Sequence, residues 1–160
     1  MHSLPHEVKG TPARLYLDDF HIGQRFESGK HQLDREQIIE FASQFDPQAF
    51  HLDEIAAKNT LFGSLAASGW HTAAITMRLN VERGLPIAGG LIGAGCTIEW
   101  PRPTRPGDVL QVFSEVTSVI PSRSRPERGM ITVRSETRNQ SGDILQVMTG
   151  RLVVPRRPAA

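Results

Sequence analysis

An aspartate and a histidine, Asp46 and His51, lie close together in the proline-containing stretch Phe45-Asp46-Pro47-Gln48-Ala49-Phe50-His51. Carboxylates and imidazoles are the side chains that most often move protons in enzymes. Because a loop does not follow the facing rules of a helix, both side chains can converge on one water molecule. The pair therefore predicts general acid/base chemistry on water.

A second chemical feature follows in the stretch Ala67-Ser68-Gly69-Trp70-His71, after which apolar residues recur at helical spacing. This pattern predicts that Ser68 caps a helix and that Gly69 is its first residue. The first N–H groups of a helix have no partner inside it, and the positive end of the helix dipole adds to their field. Such donors suit a carbonyl oxygen that gains negative charge during a reaction.

These residues resemble the signature of the MaoC-like dehydratases, a family that includes the (R)-specific enoyl-CoA hydratases. The family's signature is Asp-x-x-x-x-His, usually written Gly-Asp-x-Asn-Pro-x-His, and Asp46 and His51 fall on its two catalytic positions. Gly69 lies as far beyond Asp46 as the family's oxyanion glycine lies beyond its aspartate. The similarity continues from Trp100-Pro101-Arg102-Pro103 to Gly107-Asp108, and it spans residues 16 to 154. Phe45, Gln48 and Ala49 replace the family's glycine, asparagine and proline.

The resemblance implies an α+β protein with a single hotdog fold, in which a curved antiparallel sheet wraps around a central helix. It also implies a hydratase or dehydratase of enoyl thioesters, with Asp46, His51 and the Gly69 N–H as the catalytic groups. We expect the substrate to contact Ser68, Gln48, Phe50, Trp70 and Arg102. We expect no metal and no cofactor, since coenzyme A would enter as part of the substrate.

The elements that position these residues can be read from periodicity and capping signals. A strand is expected from Gln24 to Gln32, followed by a helix that Asp34 caps, with Gln37 bonding back, and that ends near Gln44 before Asp46-Pro47. A short helix from Asp53 to Lys58 precedes a longer one from Ser68 to about Arg83.

The remaining sequence alternates in strand fashion. Strands are expected from Gly95 to Trp100, Val109 to Ile120, Met130 to Asn139, and Ile144 to Val154. The residues expected to point inward are Val112, Val116, Ile131, Val133, Val147 and Leu152. Cys96 is expected to be a buried, inert thiol. We divide the chain into a loose arm over residues 1–15, one domain over 16–155 and a tail over 156–160.

Composition limits the classes of function. The formal net charge is +1, with acidic and basic residues interspersed, which argues against a nucleic-acid partner. One cysteine forms no internal disulfide, and no apolar run approaches the roughly 20 residues of a membrane span. We expect a cytoplasmic protein that does not bind membranes. His71, one turn into the predicted helix, is assigned to the core, and the spacing of acidic residues and histidines fits no established metal motif.

Two arginine clusters are candidates for the phosphates of coenzyme A. Arg102 and Arg105 lie in a proline-rich turn, and Arg123, Arg125 and Arg128 lie between two predicted strands. Guanidinium groups bind phosphate well, but solvated basic loops have the same composition. The sequence does not decide between the two clusters.

Three functions remain open from the sequence. The first is reversible addition of water to a trans-2-enoyl thioester, giving the (R)-3-hydroxyacyl thioester as the resemblance implies. The second is hydrolysis of the thioester, and the third is a non-catalytic subunit that binds acyl thioesters. In each case we expect at least a homodimer, because hotdog sheets pair edge to edge and because the last strand is apolar enough to need cover.

Overall fold

A five-stranded antiparallel sheet and four α-helices are formed by residues 13–159, the part of the chain that the computed structural model describes. The strands are β1 (Arg25–Gln32), β2 (Ile92–Glu99), β3 (Val109–Pro121), β4 (Arg128–Arg138) and β5 (Ile144–Pro155). The helices are α1 (Arg35–Phe45), α2 (Ala49–Leu52), α3 (Glu54–Ala57) and α4 (Gly69–Leu79). The predicted α+β class is therefore confirmed.

The strands pair in the order β1-β3-β4-β5-β2, and the long helix α4 packs against one face of this sheet. Ile75 and Leu79 of α4 share an apolar cluster with Val112 of β3 and Leu145 of β5. A second apolar cluster fills the sheet beyond the end of α4; its members include Leu85, Ile87, Val116, Ile131, Leu152 and Val154. Burial of the first cluster holds the central helix α4 on the sheet.

The cap of α1 forms as expected, since Asp34 accepts a hydrogen bond from the Gln37 N–H at 2.8 Å. The Gln37 side chain does not bond back to the cap backbone, however. Its Oε1 lies 2.7 Å from His31 Nε2 and its Nε2 donates to the Gln32 carbonyl. The α1 helix is thus tied to the end of β1 before it leads into Asp46.

Several boundaries differ from the prediction. The α4 helix ends at Leu79 and continues as a π-helical turn over Asn80–Gly84. The one-turn helix α2 was not expected, because its apolar run is too short for a helical period to show. Strand β2 begins at Ile92, and Cys96 on it is exposed rather than buried. The thiol stays exposed because β2 is at the edge of the sheet and because Cys96 pairs with Gly150 of β5, which has no side chain to cover it.

Strand β5 corrects two expectations. Leu152 is buried as predicted, but successive side chains of a strand alternate between faces, so Val147 cannot share the face of Leu152. Gln146, which has the right parity, is completely buried instead. In addition, β5 is not an edge strand, because it pairs with both β4 and β2. The uncovered edge on this side of the sheet belongs to β2.

The predicted N-terminal arm falls outside the described residues except for its last three. Leu15, one of those three, donates to the Pro86 carbonyl at 2.7 Å and accepts from the Ala88 N–H at 2.8 Å. The division into arm, domain and tail stays a prediction. Among residues 13–159, no helix has both the length and the apolar character needed to cross a membrane.

Candidate active site

Asp46 and His51 are positioned by the junction between α1 and α2. The Asp46 N–H donates to the Ala42 carbonyl, which ends α1, and the Gln48 N–H donates back to the Asp46 carbonyl at 2.7 Å. After this tight turn α2 begins, and His51 occupies its third position. One turn of helix, rather than an irregular loop, therefore brings the imidazole back over the aspartate.

The two side chains are in direct contact. His51 Nε2 lies 3.2 Å from Asp46 Oδ2, and His51 Nδ1 lies 2.6 Å from the Ala66 carbonyl oxygen. A carbonyl oxygen can only accept, so Nδ1 carries a proton and Nε2 is the nitrogen that faces the carboxylate. This orientation leaves Nε2 free to exchange a proton with Asp46 or with a water that both side chains contact.

Asp46 is held in its ionised form by its neighbours. Burial alone raises the pKa of the carboxyl group, but hydrogen bonds from Gln48 and Ser68 and the adjacent His51 outweigh burial and hold the pKa of Asp46 below its usual value. The Gln48 Nε2 to Asp46 Oδ1 distance is 2.6 Å. Asp46 can therefore bind water at neutral pH, but it is a weak base and needs His51 to share the proton.

The start of α4 faces this pair. Ser68 caps the helix by accepting from the Trp70 N–H at 3.3 Å, as predicted. Within the described part of the chain, no acceptor is recorded for the Gly69 N–H. A Cβ at position 69 would lie 2.6 Å from the indole of Trp100, so only glycine allows this close approach. The Gly69 N–H is thus a free donor beside an aromatic wall.

A pocket of about 310 Å³ brings these groups together. Its walls come from the α1–α2 junction, the start of α4 and the segment after β2. The lining residues are Asp46, His51, Phe62, Ala67, Gly69, Trp70, Thr72, Trp100, Pro101, Arg102, Pro103 and Thr104. An acid/base pair and an unpartnered N–H donor on different walls of one apolar pocket are the groups that addition of water to an activated double bond requires.

The structure places five of the expected residues in this pocket and three behind it. Ser68 is completely buried and lowers the pKa of Asp46. Gln48 is exposed and also bonds Asp46, while the ring of Phe50 lies edge-on to His51 with centroids 4.6 Å apart. Gln48 and Phe50 therefore contact the acid/base pair itself, and contact of Ser68, Gln48 and Phe50 with substrate stays a prediction.

The two arginine clusters lie at opposite ends of the sheet. Arg102 is on the pocket wall and forms a salt bridge with Asp143 at 2.9 Å. Arg105 is already used, because it donates to the Phe62 carbonyl and to Ser64. The other cluster, Arg123, Arg125 and Arg128, lies beyond the far end of β3, a strand of 13 residues that spans roughly 40 Å. Of the two clusters, Arg102 alone lines the pocket, and its guanidinium stays largely exposed beside Asp143.

His71 lies on the other side of α4 in a different environment. Its ring stacks on Phe41 with centroids 4.4 Å apart and planes 4° apart, and its buried Nδ1 has no hydrogen-bond partner. Burial and the nearby His31 lower the pKa of His71 to about 4. As expected, it is a core residue.

No group of three or more potential metal ligands occurs among residues 13–159.

Comparison with known proteins identifies the family. The model of the MaoC like domain matches residues 19–139. The chain belongs to the MaoC-like family. Among solved structures, the MaoC-like dehydratase from Rhodospirillum rubrum superposes on it with a TM-score of 0.89 at 55% sequence identity, over 91% of this chain and 99% of that one. The hotdog fold expected from the sequence is thereby confirmed.

Two curated proteins are also similar to this chain over most of their length. YdeM of Bacillus subtilis (strain 168) is 36% identical over 143 residues, which are 88% of this chain and 97% of YdeM. The 3-hydroxybutyryl-CoA dehydratase of Methylorubrum extorquens (strain AM1) is 31% identical over 113 residues, 69% of each chain. The family includes hydratases and dehydratases, and this supports a hydro-lyase at the family level.

Some pocket residues were missed in the sequence. Thr72 and Thr104, whose hydroxyls are 2.9 Å apart, join the pocket from segments that lie far apart in the chain. Phe62 and Trp100 line the pocket as well. No local pattern distinguishes them, because only the folded chain places them beside Gly69 and His51.

Proposed function

We propose that this protein adds water reversibly to the double bond of a trans-2-enoyl thioester and forms the (R)-3-hydroxyacyl thioester. The observation that carries the proposal is the 3.2 Å contact between Asp46 and His51 in the same pocket as the unpartnered Gly69 N–H. Asp46 and His51 can bind a water and move its protons, and the Gly69 N–H can donate a hydrogen bond to the thioester carbonyl.

The chemistry follows from these positions. Asp46 takes a proton from the bound water while the oxygen of that water bonds to C3 of the substrate. The electrons of the C2=C3 bond move toward the thioester carbonyl, whose oxygen becomes enolate-like and is stabilised by the Gly69 N–H. His51 orients the water, and the proton that Asp46 has taken passes to C2, which completes the addition and returns Asp46 to its ionised form. Because one water serves both carbons from one side, the addition is syn.

A short acyl group fits the pocket best. Phe62, Trp70 and Trp100 fill much of its wall and leave a volume of about 310 Å³. The relative from Methylorubrum extorquens is named for 3-hydroxybutyryl-CoA, which also favours a short chain. The phosphates of coenzyme A would bind near Arg102 at the pocket rim, where the guanidinium is already oriented by Asp143.

Product analysis tests the reaction. Purified protein is incubated with trans-2-enoyl-CoA esters of increasing chain length, while enoyl absorbance and free thiol are followed in parallel. The proposal predicts loss of absorbance without thiol release, fastest for short chains, and formation of the (R)-3-hydroxyacyl ester. Thiol release that tracks the absorbance change would identify a thioester hydrolase, and binding without turnover at any chain length would identify a non-catalytic subunit.

We also propose that the protein is a homodimer formed through β2 and α4. Strand β2 is one of the two edges of the sheet, and α4 exposes Trp70, Met77 and, just past its end, Val81. A second copy can pair with the edge and cover this stripe. Sedimentation of the wild type should give twice the chain mass, and Val81→Glu should weaken the association; a wild-type species of only 17.7 kDa would contradict the dimer.

A further inference from the structure

Gln146 lies at a distance from the pocket, yet it contacts the side chain that covers Gly69. It is completely buried in β5, and its Oε1 accepts a hydrogen bond from Trp100 Nε1 at 2.9 Å. Trp100 follows the end of β2 and is otherwise partly exposed. The bond to Gln146 therefore fixes the rotation of an indole that its surroundings do not enclose.

The other end of Gln146 is tied to the central helix. Its Nε2 donates to Thr76 Oγ1 at 3.1 Å, and that hydroxyl also lies 2.6 Å from Thr137 Oγ1 on β4. Thr76 is about two turns along α4 from Gly69. A buried amide is costly unless its polar atoms are bonded, and here both its oxygen and its nitrogen are used. Gln146 thus couples the indole to the helix that presents the Gly69 N–H.

The position of the indole matters because of how close it lies. Three of its ring atoms would be within 2.9 Å of a Cβ at Gly69, so the ring lies directly against the first turn of α4. An N–H donor stabilises developing negative charge best where water is excluded and cannot compete. An indole that rotates away would admit water to the Gly69 N–H.

We propose that Gln146 is a positioning residue of the oxyanion site, acting through Trp100 to keep the Gly69 N–H shielded for the thioester oxygen. This role rests on the proposed hydration reaction. It assigns a function to a residue that touches neither substrate nor the acid/base pair. Because the shielded donor acts mainly on the charged transition state, its loss should lower kcat more than it changes KM.

Gln146→Met tests the inference, since methionine keeps the length of the side chain and loses both hydrogen bonds. With a short enoyl-CoA, kcat should fall roughly tenfold, less than the 10²–10³-fold loss typical for removal of an oxyanion donor, while KM stays within about threefold. Ser114→Ala is the matched control: it removes another buried hydrogen bond, the 2.7 Å contact with Ser135, and should leave kcat unchanged. Both variants are assayed well below their melting temperatures.

Trp100→Phe provides the second variant. Phenylalanine keeps a ring near Gly69 but has no N–H for Gln146, so it should also lower kcat. The double variant should be little worse than the worse single, because both substitutions remove the same bond between Trp100 and Gln146. If Gln146→Met does not fold, a wild-type kcat in Trp100→Phe overturns the inference. A folded Gln146→Met with wild-type kcat, in a protein that does hydrate enoyl-CoA, overturns this inference alone. Absence of hydration by the wild type overturns the proposed function and this inference together.

Discussion

Two buried histidines in the described part of the chain, His51 and His71, lie on opposite sides of the central helix α4 and have different surroundings. His51 is 4% exposed and His71 is 8% exposed, so burial does not separate them. Both nitrogens of His51 face oxygen acceptors, the Ala66 carbonyl and the Asp46 carboxylate. His71 lies flat on Phe41, and its Nδ1 has no partner.

The difference shows that hydrogen-bond partners, and not burial, distinguish a histidine that can move protons from one that fills space. A proton can pass between His51 and Asp46 without either leaving its place. At His71, burial and then the nearby His31 disfavour the protonated ring and lower its pKa to about 4. The first environment fits catalysis, and the second fits a stable interface between α1 and α4.

Substitution of each histidine separately should give the largest difference in kcat between two variants. His51→Ala removes the partner of Asp46 and is expected to lower kcat for a short enoyl-CoA by about 10²–10⁴-fold, the usual range for an acid/base group. His71→Phe, which keeps a ring on Phe41, should leave kcat within about threefold. Steady-state assays on folded variants check both. Equal losses from the two substitutions would remove the distinction between the sites.

The oxyanion donor is tested by a pair of substitutions at Gly69. Alanine and proline both add a Cβ that displaces the Trp100 indole, but only proline deletes the N–H. We expect kcat of Gly69→Pro to be lower than that of Gly69→Ala by about 10²–10³-fold. Near-UV circular dichroism shows whether the indole has moved equally in both. Equal rates in the two variants would mean that the N–H is not the donor.

Arg102 should affect binding more than chemistry. Arg102→Ala removes the guanidinium at the pocket rim and is expected to raise KM for enoyl-CoA about tenfold, because a charge-assisted contact to phosphate is lost. The same enoyl group on pantetheine, which has no nucleotide phosphates, should show little change in KM. Arg123→Ala at the far end of β3 is the matched control. A raised KM in the control alone would move the phosphate site to the other arginine cluster.

His71 should make stability depend on pH in a defined window. Its pKa is about 4 in the folded protein and about 6.5 when unfolded, so the unfolded chain binds the proton more readily. The contribution of neutral His71 to the free energy of unfolding is complete above pH 6.5. As the pH falls toward 4, this free energy decreases by on the order of 2 kcal/mol. Urea unfolding at several pH values should show this loss in the wild type and less of it in His71→Phe. An identical pH dependence in both would contradict the assignment.

Much of the site could be predicted because it is local. Asp46, His51 and the Ser68-Gly69 helix start are recognised by residue type and spacing, and the strands by alternation. Gln146 and Trp100 could not be found in this way, since their bond joins residues that lie far apart in the chain. The strand β5 was predicted correctly, but one of its inward-facing residues was wrong. Val147 was chosen because it is apolar, whereas the alternation that includes Leu152 places a polar residue, Gln146, inside.

The central claim is that Asp46 and His51 act together on one water. The most direct test is a double-variant cycle with Asp46→Asn, His51→Ala and the combined variant, measured as loss of enoyl absorbance with free thiol followed in parallel. Asparagine keeps the shape of Asp46 but cannot take a proton, so each single should lose about 10²–10⁴-fold. Because both groups serve one step, the double variant should be little worse than the worse single. Wild-type rates in the singles, or losses that multiply in the double variant, would contradict the claim.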